Sequence, residues 1–231
     1  HKENVVERII KKLEDLKNTK VEKQPLLPTE NNVLKTFSIE NEPVVELVNN
    51  REREYIFADL PDIGYSTDID TVMASSYQVK KQLQQIVKIE QPITNTLLYK
   101  RILRIWNLTR VTTRLQVFID SLLEDAYKDP LSGDTIIYWE NKEKAKECDF
   151  YRINSKRDIL DIPILEVMSA ARYAIEQQIS MPIEDLKRLT SQLLGFSRKG
   201  NNLDMVTEQT IQLLINKGIF SHANGMVSMN N

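Results

Sequence analysis

The sequence predicts a mainly α fold with small β-hairpins, of α+β class. Three observations carry this. Beyond Thr71, apolar residues recur at the spacing of amphipathic helices through most of the chain. Twice, three such helices are followed by a short β-prone stretch and a turn cluster. The turn between the second and third helices also recurs, as Asn107-Leu108-Thr109-Arg110 and as Gly195-Phe196-Ser197-Arg198. Three helices followed by a hairpin is the order of a winged-helix domain, so the expected architecture is two winged-helix-like units in tandem.

Val5, Val6, Ile9, Leu13 and Leu16 stand at helical spacing, and residues 1–32 read as an amphipathic helix and a linker holding Pro25 and Pro28. Residues 33–70 read as a small β-rich segment, with strand candidates at 33–39, 44–48 and 55–57. The first winged-helix-like unit spans 71–155. Its helices bury Val72, Met73, Val79, Leu83, Ile86 and Val87, then Leu98, Ile102, Ile105 and Trp106, then Val111, Leu115, Phe118, Ile119, Leu122 and Leu123. Residues 135–139 and 150–153 form its expected hairpin, around a charged tip at 140–147. The second unit spans 156–231, with helices over 164–179, 183–194 and 203–216, a stop at Gly218 and a hairpin turning through Asn224-Gly225. Pro92-Ile93 and Pro182-Ile183 precede the second helix of each unit, the apolar residue stapling its entry. Asn107 or Gly195 supplies a left-handed turn, and Thr109 or Ser197 caps the third helix.

The net charge of −2 hides an uneven distribution. Residues 77–116 hold Lys80, Lys81, Lys88, Lys100, Arg101, Arg104, Arg110 and Arg114 against Glu90 alone, a net of +7, while 1–76 sum to −5, 117–161 to −4 and 162–231 to zero. This stretch is either a phosphate-attracting face or a solvated, Lys/Arg-rich helix face. No apolar run is long enough for a membrane helix, a lone Cys148 allows no internal disulfide, and the expected compartment is the cytoplasm. Only His1 and His222 are present, which removes most zinc sites and His-based triads, and the opening His1 suggests a fragment.

No Gly-x-x-x-x-Gly-Lys phosphate loop occurs, so no ATPase and no cofactor are expected. Asp134, Glu140 and Lys142 spell the acid and Glu-x-Lys of a metal-dependent nuclease, but with five residues between the two acids they fall in one strand and an exposed tip. Cys148 is expected to be passive. For nucleic acid, Arg110 and Arg114 lie at the start of a third helix, with Lys100, Arg101 and Arg104 on the second. Arg198 and Lys199 hold the matching turn of the second unit. In helix-turn-helix docking these positions meet the groove and the backbone. The alternative is that they pair with acids of neighbouring helices.

Tyr55-Ile56-Phe57-Ala58, the run from Ile86 to Ile93, Leu98-Tyr99-Lys100-Arg101-Ile102, Trp106 to Arg110, Asp161-Ile162-Pro163 and Leu193 to Arg198 resemble a domain of unknown function. That domain is found at the C-terminal end of very large bacterial proteins in which a superfamily 1 helicase-like motor and a nuclease-like module come first. The resemblance runs over about residues 50–220. Family members often carry Gly and His about the Pro-Ile pair, where this chain has Gln91 and Thr94, and Gly after Trp, where it has Asn107. The resemblance implies an accessory module of a DNA-processing machine, with the upstream modules as partners. The leading expectation is a non-catalytic DNA-binding accessory domain with its basic residues on one exposed face. A protein-protein scaffold is the alternative, and a nuclease the third.

Overall fold

The computed structural model describes residues 49–65, 67–130, 135–153 and 155–230. The expected helix near the N-terminus, the linker, the strands at 33–39 and 44–48, and Asp134 lie outside the described residues. The described residues belong to one compact unit, mainly α with small sheets. No described helix is long and apolar enough to cross a membrane.

The described chain enters through β1 (Glu52–Glu54), runs without regular structure to Tyr65, and starts α1 (Ile69–Ala74), capped by the Asp68 side chain accepting from the Thr71 N–H at 2.8 Å. Ser75 separates it from α2 (Ser76–Glu90), so the single helix expected from Thr71 is two. Along α2, Val79, Leu83, Ile86, Val87 and Glu90 are buried, a stripe at helical period. Then come β2 (Ile93–Thr94), α3 (Asn95–Ile105) capped by Thr94, α4 (Thr113–Leu122) capped by Thr112, β3 (Tyr127–Lys128) and β4 (Ile137–Trp139). The short α5 (Lys142–Lys146) leads to β5 (Tyr151–Ile153) and a 3₁₀ turn at Ile159–Asp161. The second repeat is α6 (Ile164–Glu176), β6 (Met181–Pro182), α7 (Ile183–Leu193), α8 (Asn201–Asn216), β7 (Phe220–Ala223) and β8 (Met226–Met229).

Both repeats therefore run helix, strand, helix, helix, strand, strand, and in both the first strand pairs antiparallel with the last, in sheet orders β2-β4-β3 and β6-β8-β7. A common frame relates them: Asn95, Asn107 and Thr113 stand 88 positions before Ile183, Gly195 and Asn201. Val79 and Val167, Leu98 and Leu186, and Leu115 and Leu203 are buried pairs in that frame.

The turn after the second helix is the same in both. Leu108 N–H donates to Leu103 O and Asn107 N–H to Arg104 O; Phe196 and Gly195 repeat this onto Ser191 and Gln192. Asn107 has φ 47° and Gly195 φ 87°, as the left-handed end of a helix requires. A Cβ at Gly195 meets nothing within 4 Å, so only the backbone opposes it. Gly195→Ala is expected to cost about 1–2 kcal/mol, read from urea unfolding, while Asn107→Gly costs nothing or stabilises slightly.

Four further expectations are corrected. Pro92 precedes β2 whereas Pro182 ends β6, so the two Pro-Ile pairs are displaced by two positions in the common frame; the unequal Pro-to-Arg spacing already carried that displacement. Thr109 and Ser197 do not cap the third helices: Thr112 caps α4, and Gly200, with no side chain to offer, precedes α8. Residues 55–57 are not a strand, the strand being Glu52–Glu54. The expected hairpin of 135–139 with 150–153 does not form, because β4 pairs with Tyr127–Lys128 and β5 pairs parallel with β1. A two-residue strand such as β3 has no period to read. By contrast, the Asn224-Gly225 turn with φ 53° and 74° joins β7 to β8 as expected.

Each repeat has its own core. The first centres on Leu83, Ile86, Leu98, Ile102, Leu115 and Ile119, the second on Ala171, Ile175, Leu186, Ile211, Leu214 and Val227. A third cluster, with Tyr151, Ile159, Ile162, Val167 and Leu203, joins the connecting segment to the second repeat.

Candidate functional site

Of the predicted basic residues on α3 and α4, Lys100, Arg104, Arg110 and Arg114 are exposed and Arg101 is not. Arg101, on α3, has a side chain only 12% exposed, pairs with Glu90 at 3.0 Å and donates to the Ala58 carbonyl at 2.5 Å. It is thus turned into the fold, and its assignment to a nucleic-acid surface is corrected. Lys100 donates to both oxygens of Asp161, at 2.8 and 2.7 Å, and Arg114 pairs with Asp70 at 2.7 Å. Arg104 and Arg110 are exposed and carry no ion pair among the described residues. Arg198 and Lys199 are likewise exposed, and Arg198 occupies in the second repeat the position of Arg110 in the first.

The third helices add little positive charge. Outward positions of α4 are Thr113, Arg114, Val117 and Ser121. On α8 they include Asn201, Asn202, Asp204, Met205 and Gln209. Asp204 and Glu208 hold the buried Lys187 at 2.7 and 3.1 Å, with Glu184 at 3.3 Å. Burial opposes the charge on Lys187, but the hydrogen bonds to Asp204, Glu208 and Glu184 outweigh it and hold its pKa above the usual lysine value.

What the cations and acids build is an internal network at the junction of the two repeats. The Glu166 carboxylate, on α6, is fully buried and accepts from Arg157 Nη1 and Nη2 at 2.8 and 2.9 Å, from the Arg152 backbone N–H at 3.0 Å and from Arg152 Nη2. Burial alone would raise its pKa; the two guanidinium groups reverse this and hold it down at about 2. Arg152 also donates to the carbonyls of Glu90 and Pro92, at 2.7 and 2.6 Å, tying β5 to the end of α2. Arg152 and Arg157 lie over the Tyr55 ring, 4.7 and 4.2 Å from its centroid. The Tyr55 hydroxyl donates to Glu90 at 2.5 Å, and the Ala58 N–H donates to the other oxygen of Glu90 at 3.0 Å. Burial first, then the Glu90 charge, raises the Tyr55 pKa, so the phenol stays a donor. Sequence reading did not single out Arg152, Arg157 or Glu166, because the first two sit in an acidic segment and the third in a neutral one, and nothing local marks them as buried.

Elsewhere, Asp120 accepts from the hydroxyls of Tyr99 and Tyr138, at 2.8 and 3.1 Å, joining α3, α4 and β4. The Cys148 thiol is pushed up to about 12 by burial and by the Glu166 charge, so it stays protonated at neutral pH. Glu140 exchanges hydrogen bonds with Gln91, at 2.9 and 3.4 Å, and Lys142 begins α5 rather than lying on a strand. Among the described residues no group of three or more His, Cys, Asp or Glu is arranged to hold a metal ion.

No curated protein and no solved structure matches the chain. The model of one family, described as a protein of unknown function (DUF3320), matches residues 74–117, from the last residue of α1 through α2, β2 and α3 into α4.

Proposed function

We propose that the chain is a non-catalytic docking module, a tandem of winged-helix units that holds neighbouring modules of a helicase-like protein in fixed relation. The winged-helix reading is supported by the strand order, in which the first strand of each repeat pairs with the last. The observation that carries the docking role is the internal use of charge. Arg101 is turned in against Glu90, Lys100 and Arg114 reach Asp161 and Asp70 from the surface, and Asp204 stands in the first turn of α8, where a groove-reading helix needs cations. A module whose Arg152, Arg157 and Glu166 tie the end of α2 to α6 offers neighbours a rigid platform.

DNA binding stands as a second reading on one observation: Arg110 and Arg198 are exposed at equivalent turns, with Arg104 and Lys199 near them in sequence. A titration of labelled duplex and single-stranded DNA separates the two. The docking reading expects no saturable binding at physiological salt. It also expects the chain to bind the separately produced motor or nuclease-like module of its own polypeptide, measured by calorimetry. Binding to DNA that weakens steeply with salt, by roughly 0.9 in log affinity per phosphate neutralised and log unit of salt, and that Arg110→Glu with Arg198→Glu abolishes, would replace docking by DNA binding.

A further inference from the structure

The two repeats differ in what covers the second helix. In the first, residues 55–63 pack against α3: the Ala58 carbonyl accepts from Arg101, the Ile63 N–H donates to the Ile105 carbonyl at 2.9 Å, and Leu60 and Ile63 pack against the core. Thr67 continues the cover by donating its hydroxyl to the Trp106 carbonyl. Under this segment Ile105 is 3% exposed, and the space left beside Arg101 and Arg104 is about 310 Å³.

In the second repeat the same face of α7 is only partly covered, by the connecting segment, and Leu193 is more exposed than its counterpart Ile105. Leu189, Leu193 and Phe196 stand 88 positions after Arg101, Ile105 and Leu108, are only half-buried, and line a groove of about 880 Å³ with Ile153. Glu52 and the exposed Lys156 stand on its rim. The covering segment of the first repeat carries Asp59 and Asp62 beside Arg101 and Arg104. In the open groove the positions of Arg101 and Arg104 are Leu189 and Gln192, and the exposed cation is Lys156 of the connecting segment.

We infer that this groove binds a short peptide segment of a partner protein, with apolar residues spaced like Ala58, Leu60 and Ile63 and with carboxylates between them, as residues 55–63 cover the first repeat. Apolar side chains fill the trough between Ile153 and Leu193, and a carboxylate meets Lys156. The inference deepens the docking role and rests on it, naming the chemistry of one partner.

The test is fluorescence anisotropy of the full chain with a labelled peptide of the sequence of residues 53–65. Saturable binding is expected. Gln192→Trp, an exposed substitution that fills the groove, and Lys156→Glu are each expected to weaken it by about tenfold or more, with thermal melting unchanged. The same peptide with lysine in place of both aspartates should bind more weakly. Absence of saturable binding, or binding indifferent to both variants, overturns the inference. Self-association abolished by Gln192→Trp, without peptide binding, assigns the groove to a second copy and also overturns it. If the peptide fails while the motor or nuclease-like module still binds, the groove is excluded and the docking role stands.

Discussion

Glu166→Gln is expected to destabilise the chain by about 3–5 kcal/mol, the range for removing one partner of a buried ion pair. The carboxylate is fully buried and is the acid to which both Arg152 and Arg157 pair; an amide there keeps one acceptor oxygen and turns an N–H toward a guanidinium. Two cations are then left inside with no countercharge. In a unit of this size the loss corresponds to a fall in melting temperature of roughly 10 °C or more. Guanidinium unfolding monitored by circular dichroism checks it, and a change below about 1 kcal/mol would show that the network adds nothing net. Replacing all three members by apolar residues should restore much of the loss, since no charge is then stranded.

The same residue sets an acid dependence. Its folded pKa, about 2, lies below the usual carboxylate value, so its contribution is fully present above about pH 4.5 and is lost as the pH falls from there through 2. That window is worth roughly 3 kcal/mol in the wild type. It should be missing from the Glu166→Gln variant, whose stability curve meets the wild-type curve at low pH. Parallel curves across the window would refute the assignment.

The second large effect is expected at Glu90. Its buried carboxylate accepts from Tyr55, from the Ala58 N–H and from Arg101, so it anchors residues 55–63 to the first repeat. Glu90→Ala strands Arg101 and removes both anchors, a loss again of about 3–5 kcal/mol. The effect should be local before it is global: amide exchange at Ala58 and Ile63 should speed up, and chymotrypsin should cut at Tyr55 or Phe57, while α6 to α8 keep their protection. Uniform loss of protection over both repeats would mean that Glu90 does not act through this segment.

Much of the fold was legible in the sequence. The helices of both repeats lie close to their expected positions because each buries one stripe at a period of 3.6, a local property. The Asn224-Gly225 hairpin and the Asn107 and Gly195 turns were legible because few residues take a positive φ. The three strands of two residues were not, since β2, β3 and β6 are defined by the partner across the sheet and not by their own pattern. Nor was the parallel pairing of β5 with β1, which closes over the entire first repeat.

The candidate site divides the same way. Counting charges along the chain found a basic segment, but the count could not tell a solvated cation from a buried one. Arg101 and Arg104 are one turn apart on α3; one faces Glu90 and the other faces water. That difference belongs to the tertiary structure, because desolvation and pairing depend on what another part of the chain brings within hydrogen-bond reach. Arg152 meets the carbonyl of Glu90 and the carboxylate of Glu166 across a junction that no local period describes. The sequence by itself determined the helices and the repeat. Only the folded chain decided which of the segment's cations pair, Arg101 with Glu90 inside the first repeat and Lys100 with Asp161 beyond it, since the electrostatic energy of a side chain is set by its surroundings in space.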